Sequence, residues 1–284
     1  MKRGISMNEK IKFCAFADEA SPMLCGQIEA LARNSLSLLE IRGVDGKNIA
    51  DITVDEAKEI RKRLDDAGIR VWSSGSPIGK VDIHLDFSAE LERFKRTLET
   101  AVILGAENMR MFSFYKTSPD DRNEVIDRIG TFLEVSRGSG VDLCHENEKG
   151  IFGDVAERCQ ILHKALPELY AVFDPANFVQ CGVDTKAAWS LLSPYVKYLH
   201  AKDADKNGKV VPCGAGIGNV PYIFGEFCNA DSGVITLEPH LKAFVGLSAL
   251  EGGDTSAVGG MSFKSSDEAF DYAVNAAKNI VNNL

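Results

Sequence analysis

The sequence predicts an α/β fold, a single (β/α)8 TIM barrel that spans residues 1–284. Short β-branched or aromatic runs alternate with longer amphipathic runs, and this alternation repeats eight times without a break. A length of 284 residues also suits one barrel, because such barrels reach this size as one domain. A doubly wound open sheet is the structural alternative, but no GxGxxG motif follows the first strand.

The first four units each join a short apolar strand to an amphipathic helix. In the second unit Ala57, Ile60 and Leu64 recur at helical spacing, and Gly68 is placed to end the helix. The predicted strands are 11–16, 38–41, 69–72 and 109–112, and the predicted helices are 23–34, 54–66, 89–104 and 120–137.

The last four units follow the same pattern. The predicted strands are 141–144, 170–173, 195–199 and 234–237, and the predicted helices are 154–165, 185–192, 222–229 and 266–282. The stretch 246–265 is rich in Gly, Ser and Thr, so we predict a loop there, or a lid over the barrel mouth. Residues 1–10 are predicted to be flexible.

Composition narrows the class of partner. A net charge of −9 argues against nucleic acid or an anionic membrane surface as the main partner. No apolar run approaches the ~18 residues of a membrane span, and the charged start lacks the apolar stretch of a signal peptide. The seven cysteines are odd in number and contain no CxxC, which favours a reduced, cytoplasmic protein.

Four successive strands are predicted to end in side chains that can bind a metal ion. Strand five ends in CHENE, strand six in FDPAN, strand seven in LHAKD and strand eight in LEPH, which supply Glu146, Asp174, His200 and Glu238. The C-terminal strand ends of such a barrel meet at one mouth. A single acid there means little, because polar strand ends are common, but four together predict one divalent metal site. Three carboxylates and one imidazole favour Mn²⁺, with Mg²⁺, Co²⁺ or Zn²⁺ as options.

Two neighbours are predicted to point into the same mouth. Lys202 lies two residues after His200, and His240 lies two residues after Glu238, so the pleat directs each to the same face as its ligand. We predict that both bind substrate. A solvated loop lysine is the alternative for Lys202, and a group that only supports the ligands is the alternative for His240.

Two further side chains are predicted to bind substrate. Asn177 lies one short turn past Asp174, and Arg110 lies within the fourth strand. An arginine inside a barrel needs a carboxylate partner, which Glu40 or Glu19 can supply.

A glycine-rich stretch, PCGAGIGN at 212–219, follows the seventh strand. Backbone amides in such a loop can bind phosphate. The motif is short, and the competing interpretation is a flexible turn before the next helix.

Several motifs together resemble one family. LLEIRGVDGKNI, GSPIGKVDIH, MRMFSFY, CHENE, FDPAN, LHAKD and ITLEPH are similar to segments of the xylose-isomerase-like TIM-barrel family of sugar phosphate isomerases and epimerases. The resemblance implies that Glu146, Asp174, His200 and Glu238 bind a divalent metal. It also implies that Glu146 and Glu238 are the catalytic pair, which transfer protons on opposite faces of a metal-held enediolate.

Two positions depart from the ketose 3-epimerases of that family. Those enzymes usually carry His three residues after the Asp ligand and Arg six residues after the His ligand, where this chain has Asn177 and Lys206. The resemblance therefore implies the metal site more directly than it implies 3-epimerase activity.

The expected function is that of a divalent-metal-dependent isomerase or epimerase acting on a sugar or sugar phosphate. Proton return to the same carbon gives an epimer, return to the neighbouring carbon gives an aldose–ketose isomer, and loss of a β-hydroxyl gives a dehydratase of the inosose type. The expected partner is a small sugar or polyol-derived ketone; a homodimer is left open.

Two alternatives belong to other classes. A non-catalytic sugar-binding barrel would share the fold without the chemistry. An endonuclease IV-like repair enzyme would need a trinuclear zinc cluster with many histidines, and this acidic chain has five.

Overall fold

The structure is a computed structural model that describes residues 11–228, 233–245, 247, 258 and 261–284. Eight parallel strands close into a barrel in which each strand pairs with its neighbours in the sequence and the last pairs with the first. The predicted (β/α)8 barrel is therefore confirmed. The strands are β1 Ile11–Ala15, β2 Leu38–Ile41, β3 Arg70–Ser74, β4 Asn108–Met111, β5 Asp142–Glu146, β6 Tyr170–Phe173, β7 Val196–Ala201 and β8 Gly233–Leu237.

Helices follow the strands and cover the barrel. They are α1 Leu24–Arg33, α2 Val54–Asp66, α3 Phe87–Leu104, α4 Arg122–Ser136, α5 Ala156–Ala165, α6 Pro175–Gln180, α7 Thr185–Leu192, α8 Val220–Cys228 and α9 Ser266–Asn282. The sequence pattern did not predict α6. It begins directly after β6, where Asp174 caps it by accepting from the Asn177 amide and Pro175 takes the first helical position.

Local signals explain where several helices start and end. Thr53 caps α2 and forms a capping box with Glu56, while Ser265 caps α9 by accepting from the Glu268 amide. Gly105 follows α3 at φ 72°, a left-handed conformation that glycine adopts without a steric penalty. These boundaries lie within two residues of the sequence prediction because caps are encoded locally.

The barrel interior contains two layers of side chains. The lower layer, near the N-terminal strand ends, is mainly apolar and consists of Cys14, Leu38, Trp72, Cys144, Val172, Tyr198 and Val234. The upper layer, near the C-terminal strand ends, is polar and buried and consists of Glu40, Arg110, Glu146, Asp174, His200 and Glu238. The larger apolar core lies between the strands and the helices.

Several predictions concern residues that the structure does not describe. The segment 1–10 lies outside the described residues, as does most of 246–265, so flexibility and a lid stay predictions. Within the described part of the chain, no helix combines the length and the hydropathy needed to cross a membrane.

Candidate metal centre

Glu146, Asp174, His200 and Glu238 meet in the upper layer of the barrel. Glu146 ends β5 and His200 lies in β7, while Asp174 and Glu238 directly follow β6 and β8. One potential ligand atom from each lies within 4.8 Å of the others. None of the four side chains is more than 4% exposed. Strands 5 to 8 therefore bring the four groups together at the C-terminal mouth of the barrel.

Two asparagines fix this cluster through the backbone. Asn147 accepts from the Asp174 amide and donates to its carbonyl, both at 2.9 Å, which ties the ends of β5 and β6 together. Asn177 donates from Nδ2 to Glu146 Oε1 at 3.3 Å and to the Asn147 carbonyl at 2.9 Å. Asn177 thus contacts a cluster residue directly; its predicted contact with substrate stays a prediction.

The imidazole of His200 is held on both of its nitrogens. Nδ1 lies 2.8 Å from Glu146 Oε1 and 3.1 Å from Glu238 Oε2, and Nε2 lies 3.4 Å from Glu40 Oε2. Glu40 in turn accepts from the Tyr198 hydroxyl at 2.8 Å. A carboxylate behind a histidine fixes its orientation and leaves the other ring nitrogen directed at the ion site.

Two cations lie against the cluster. Lys202 Nζ is 2.9 Å from Asp174 Oδ2 and 3.1 Å from Glu238 Oε2. Arg110 Nη1 is 3.1 Å from Glu146 Oε2 and 3.7 Å from Glu238 Oε1. Lys202 was predicted to point into the mouth, and the structure places it against the cluster together with Arg110. The predicted contact of both residues with substrate stays a prediction.

A second network covers the cluster on the side of β1 and β2. Arg42 contacts Glu238 at 2.9 Å and Glu19 at 3.2 Å, and it forms a two-pronged contact with Asp18. His240 lies 3.5 Å from Glu238 Oε1 and its backbone amide donates to Glu19 at 2.7 Å. His240 has φ 45°, a strained value for a residue with a side chain, which this network maintains.

We expected Glu40 or Glu19 to be the carboxylate partner of an arginine inside the barrel, and the structure agrees only in part. Glu19 does pair with an arginine, Arg42. Arg110 itself pairs with Glu146 and Glu238 rather than with Glu19 or Glu40. Glu40 makes its hydrogen bonds to Tyr198, Ser73 and His200.

The electrostatics of the cluster reflect its excess of carboxylates. Burial alone would lower the pKa of His200, but Glu146, Glu40 and Glu238 raise it well above its usual value. Burial, together with Glu238 and Glu146, raises the pKa of Asp174 to about 7 against the opposing effects of Lys202 and His200. This direction indicates that the described cations do not fully compensate an ionised carboxylate at this position.

The donor set fits a divalent cation. Glu146 Oε2 and Asp174 Oδ2 are buried, and their described partners are the ion pairs with Arg110 and Lys202. Ligand atoms ~2.0–2.2 Å from one ion lie at most about 4.4 Å apart, so atoms that lie within 4.8 Å of one another need only small side-chain shifts to hold one ion. Three carboxylates and one imidazole nitrogen are therefore available to hold one ion, which brings the charge that the cluster lacks.

Sequence reasoning missed two residues beside this centre. Glu148 lies two residues beyond Glu146 and pairs with Lys80 at 3.1 Å. The period of two along a strand, applied once more past Glu146, would have indicated Glu148. Asn147 gave no signal, because its role is to bond the backbone of a neighbouring strand.

The glycine-rich loop at 212–219 binds a carboxylate of the protein itself. The amides of Gly214, Gly216 and Gly218 donate to the Asp203 carboxylate at 2.9–3.0 Å. These amides are thus already engaged, and the loop is anchored next to α6 by a residue that directly follows β7.

Comparison with known proteins agrees with this architecture. The xylose isomerase-like TIM barrel family matches residues 28–252, and the chain belongs to that family. No match is found among curated proteins.

Solved structures share the fold at low sequence identity. D-allulose 3-epimerase from Methylomonas sp. superposes with a TM-score of 0.73 at 15% identity, covering 95% of this chain and 98% of that one. The probable 3-DHS dehydratase AsbF from Bacillus anthracis gives 0.72 at 14% identity, covering 94% and 98%. The IOLI protein, solved with a zinc atom bound, gives 0.69 at 15% identity, covering 96% and 98%.

Proposed function

We propose that the protein is a divalent-metal-dependent isomerase or epimerase of a sugar or sugar-derived ketone. The observation that carries the proposal is the convergence of four buried ligand-competent side chains at the barrel mouth, namely Glu146, Asp174, His200 and Glu238. Membership of the xylose isomerase-like family and structural likeness to sugar epimerases support it. We propose Mn²⁺ as the native ion, because the donor set is mostly oxygen.

The proposed reaction is proton transfer next to a carbonyl. A bound divalent ion would act as a Lewis acid, which lowers the cost of negative charge on a substrate oxygen. Glu146 and Glu238 are the proton-transferring pair, since both carboxylates lie at the centre and neither is more than 4% exposed. Arg110 contacts both carboxylates and keeps them ionised and apart.

The other groups have supporting roles in this proposal. Asn177 orients Glu146, and Glu40 orients His200. Lys202 and His240 lie next to Glu238 and are placed to contact substrate oxygens. We further propose a cytoplasmic location, because none of the seven cysteines forms a disulfide in the described structure.

The test measures metal content and solvent deuterium uptake together. Purified protein, before and after EDTA treatment and Mn²⁺ addition, is incubated with a panel of ketoses and inososes in D₂O, and deuterium is located by NMR. We expect about one equivalent of metal and metal-dependent labelling of one substrate. Glu146→Gln and Glu238→Gln should each lower the exchange rate by roughly 10²–10⁴-fold, the usual contribution of a general acid–base group.

A matched control and the product decide between the alternatives. Glu107→Gln alters a half-exposed acid at the opposite end of the barrel and should leave metal content and exchange unchanged. The labelled carbon separates epimerase from isomerase, and loss of a β-hydroxyl identifies a dehydratase. Bound metal with no labelling of any ketone would support a sugar-binding barrel; no bound metal would refute the proposed centre.

A further inference from the structure

A cavity of about 430 Å³ lies directly outside the candidate metal centre. Loops that follow β1, β2, β3 and β4 form its wall, so it opens on the C-terminal face of the barrel. Arg42 lines the cavity and also contacts Glu238 at 2.9 Å, so its side chain lies between the cavity and the metal centre. This volume is within the range of small-ligand sites.

The cavity wall is cationic in a chain whose net charge is −9. Its charged lining residues are Asp18, Arg42, Lys47, Asp51, Lys80 and Arg93. Arg42 and Asp18 form a two-pronged pair at 2.9 and 3.0 Å, so they compensate each other. The remaining lining residues are three cations and one carboxylate. Lys80 and Lys47 also pair with Glu148 and Glu56, which do not line the cavity.

Lys80 is the rigid member of this wall. Its ammonium lies 3.1 Å from Glu148 and 4.4 Å from the centre of the Phe112 ring, and its side chain is only 11% exposed. The preceding Gly79 has φ 84°, and a Cβ there would lie 2.1 Å from the Phe112 carbonyl. The loop therefore holds Lys80 in place before any ligand arrives, which lowers the entropic cost of binding.

Arg93 and Lys47 are the adaptable members. Arg93 lies 3.9 Å from Asp51, and the Lys47–Glu56 pair is half exposed. Pairs of this kind contribute little because water competes for both charges. Both cations can therefore turn toward a ligand at small cost.

The acidic centre determines which way a charged substrate must point. Four ligand-competent groups, three of them carboxylates, would repel an anion brought next to them. The amides of the 212–219 loop are occupied by Asp203 and offer no second anion site there. An anionic substituent is thus favoured on the side of Lys80 and Arg93.

We propose that this cavity binds a carboxylate or phosphate substituent of the substrate, whose carbonyl end lies at the metal centre. The inference rests on the proposed function and narrows its substrate class to keto-sugar acids or keto-sugar phosphates. Lys80 supplies a fixed contact, and Arg93 and Lys47 close on the anion from the rim.

The test measures binding of three unreactive five-carbon probes to the Mn²⁺-loaded protein at low ionic strength by calorimetry. The probes are ribitol, ribonate and ribitol 5-phosphate, which differ in charge at one end. We expect at least one anionic probe to bind about tenfold more tightly than ribitol, as charge-assisted hydrogen bonds predict. The tighter of the two anions identifies the substituent as carboxylate or phosphate.

Variants locate the anion. Arg93→Gln should remove most of the preference, and Lys80→Gln combined with Glu148→Gln should do so without leaving a buried charge unpaired. Arg96→Gln makes the same charge change on the same helix, α3, at an exposed position outside the cavity lining, so it should retain the preference. Equal binding of all three probes, or equal losses in Arg93→Gln and Arg96→Gln, would overturn the proposal.

A further variant separates this inference from the metal centre. The preference for an anion should persist in Glu146→Gln/Glu238→Gln, since the cavity does not include those residues. If the preference disappears there but survives in Arg93→Gln, the anion binds at the ion and the cavity proposal is wrong. If the preference persists while no metal binds to the unaltered protein, the cavity proposal holds and the proposed function fails.

Discussion

The lower and upper layers of the barrel interior occupy the same strands but differ in chemistry. On β5, β6 and β7 the lower layer has Cys144, Val172 and Tyr198, and two residues later the upper layer has a carboxylate or an imidazole. Both layers are buried. Burial therefore does not distinguish them; the presence of compensating partners does.

The boundary between the layers is a hydrogen-bonded pair of side chains. Tyr198 belongs to the lower layer by its ring, while its hydroxyl donates to Glu40 and lies 3.0 Å from Ser73. The Tyr198 ring therefore packs in the apolar lower layer, while its hydroxyl is a hydrogen-bond donor to Glu40 of the upper layer. The packed side chains of the lower layer thus support the upper layer. The upper layer contains buried charges, which are unfavourable unless neighbouring groups compensate them.

The largest expected effect comes from placing a carboxyl group in the apolar lower layer. Val172→Asp places a carboxyl in the lower layer without a cation beside it and should cost about 4 kcal/mol or more of unfolding free energy. Asp174→Asn, directly after β6, should not destabilise the protein and should raise the free energy of unfolding at pH 7. The reason is that the pKa of Asp174 is raised to about 7 in the folded state, so folding disfavours the ionised carboxylate that the unfolded chain carries at this pH.

Urea unfolding at pH 7 measures both variants. Comparable costs for Val172→Asp and Asp174→Asn would show that the two layers tolerate charge equally. That outcome would remove the distinction between them.

Binding of a divalent ion in the upper layer should have a smaller effect on the free energy of unfolding. Mn²⁺ at about 100 times its dissociation constant should stabilise the protein by about 2.7 kcal/mol, which corresponds to a rise of roughly 5 °C in Tm. EDTA should reverse the rise. Asp174→Asn should show little rise, and a similar shift in both proteins would place the ion elsewhere.

The comparison of layers also applies to histidine side chains, one in the helix layer outside the barrel and one in the upper layer. His163 on α5 is 1% exposed, donates from Nδ1 to the Leu169 carbonyl at 3.0 Å, and stacks on Tyr195. Burial lowers its pKa to about 4, whereas carboxylates raise the pKa of His200. The apolar layer thus disfavours the charged form of a histidine, whereas the carboxylates of the upper layer favour it as long as no metal ion occupies the site.

This difference predicts an acid-sensitive stability. Between the unfolded pKa of about 6.5 and the folded value of about 4, the unfolded chain binds the His163 proton first, so stability falls as pH falls. His163 should account for about 1.4 kcal/mol of the loss between pH 7.5 and 5.5. His163→Asn, which can still donate to the Leu169 carbonyl, should lose that part of the slope, while the exposed His84→Asn should keep it. An unchanged slope in His163→Asn would contradict the assignment.

The smallest expected effect comes from removing the Tyr198 hydroxyl, which lies at the boundary between the lower and upper layers. Tyr198→Phe removes the hydrogen bond from the hydroxyl to Glu40 and its contact with Ser73, but it leaves the ring and the hydrogen bond from Ser73 to Glu40, so it should cost about 1 kcal/mol. The denaturant midpoint measures the change, with the exposed Tyr222→Phe as the control. A loss above about 3 kcal/mol would indicate that the hydroxyl organises the whole upper layer.

Much of the fold was predictable because its signals are local. The ends of α2, α7 and α9 follow from a cap or a glycine within a few residues, and the period of each run separates strand from helix. α6 was missed because it is short and begins inside the FDPAN motif that was interpreted as a strand end. The four metal-competent residues could be named because parallel strands of one barrel end on one face.

The partners of those residues were decided only by the tertiary structure. Glu40 lies 160 residues from His200, and Arg42 lies 196 residues from Glu238, and no local pattern relates them. The glycine-rich loop shows the same limit, since its amides could equally have served phosphate until the fold placed Asp203 among them. The sequence alone determined the alternation of elements and the side chains at the strand ends, because periodicity and residue identity are properties of the chain. Barrel closure determined which charges meet and which cavity lies beside them, because those contacts join loops that are distant in sequence.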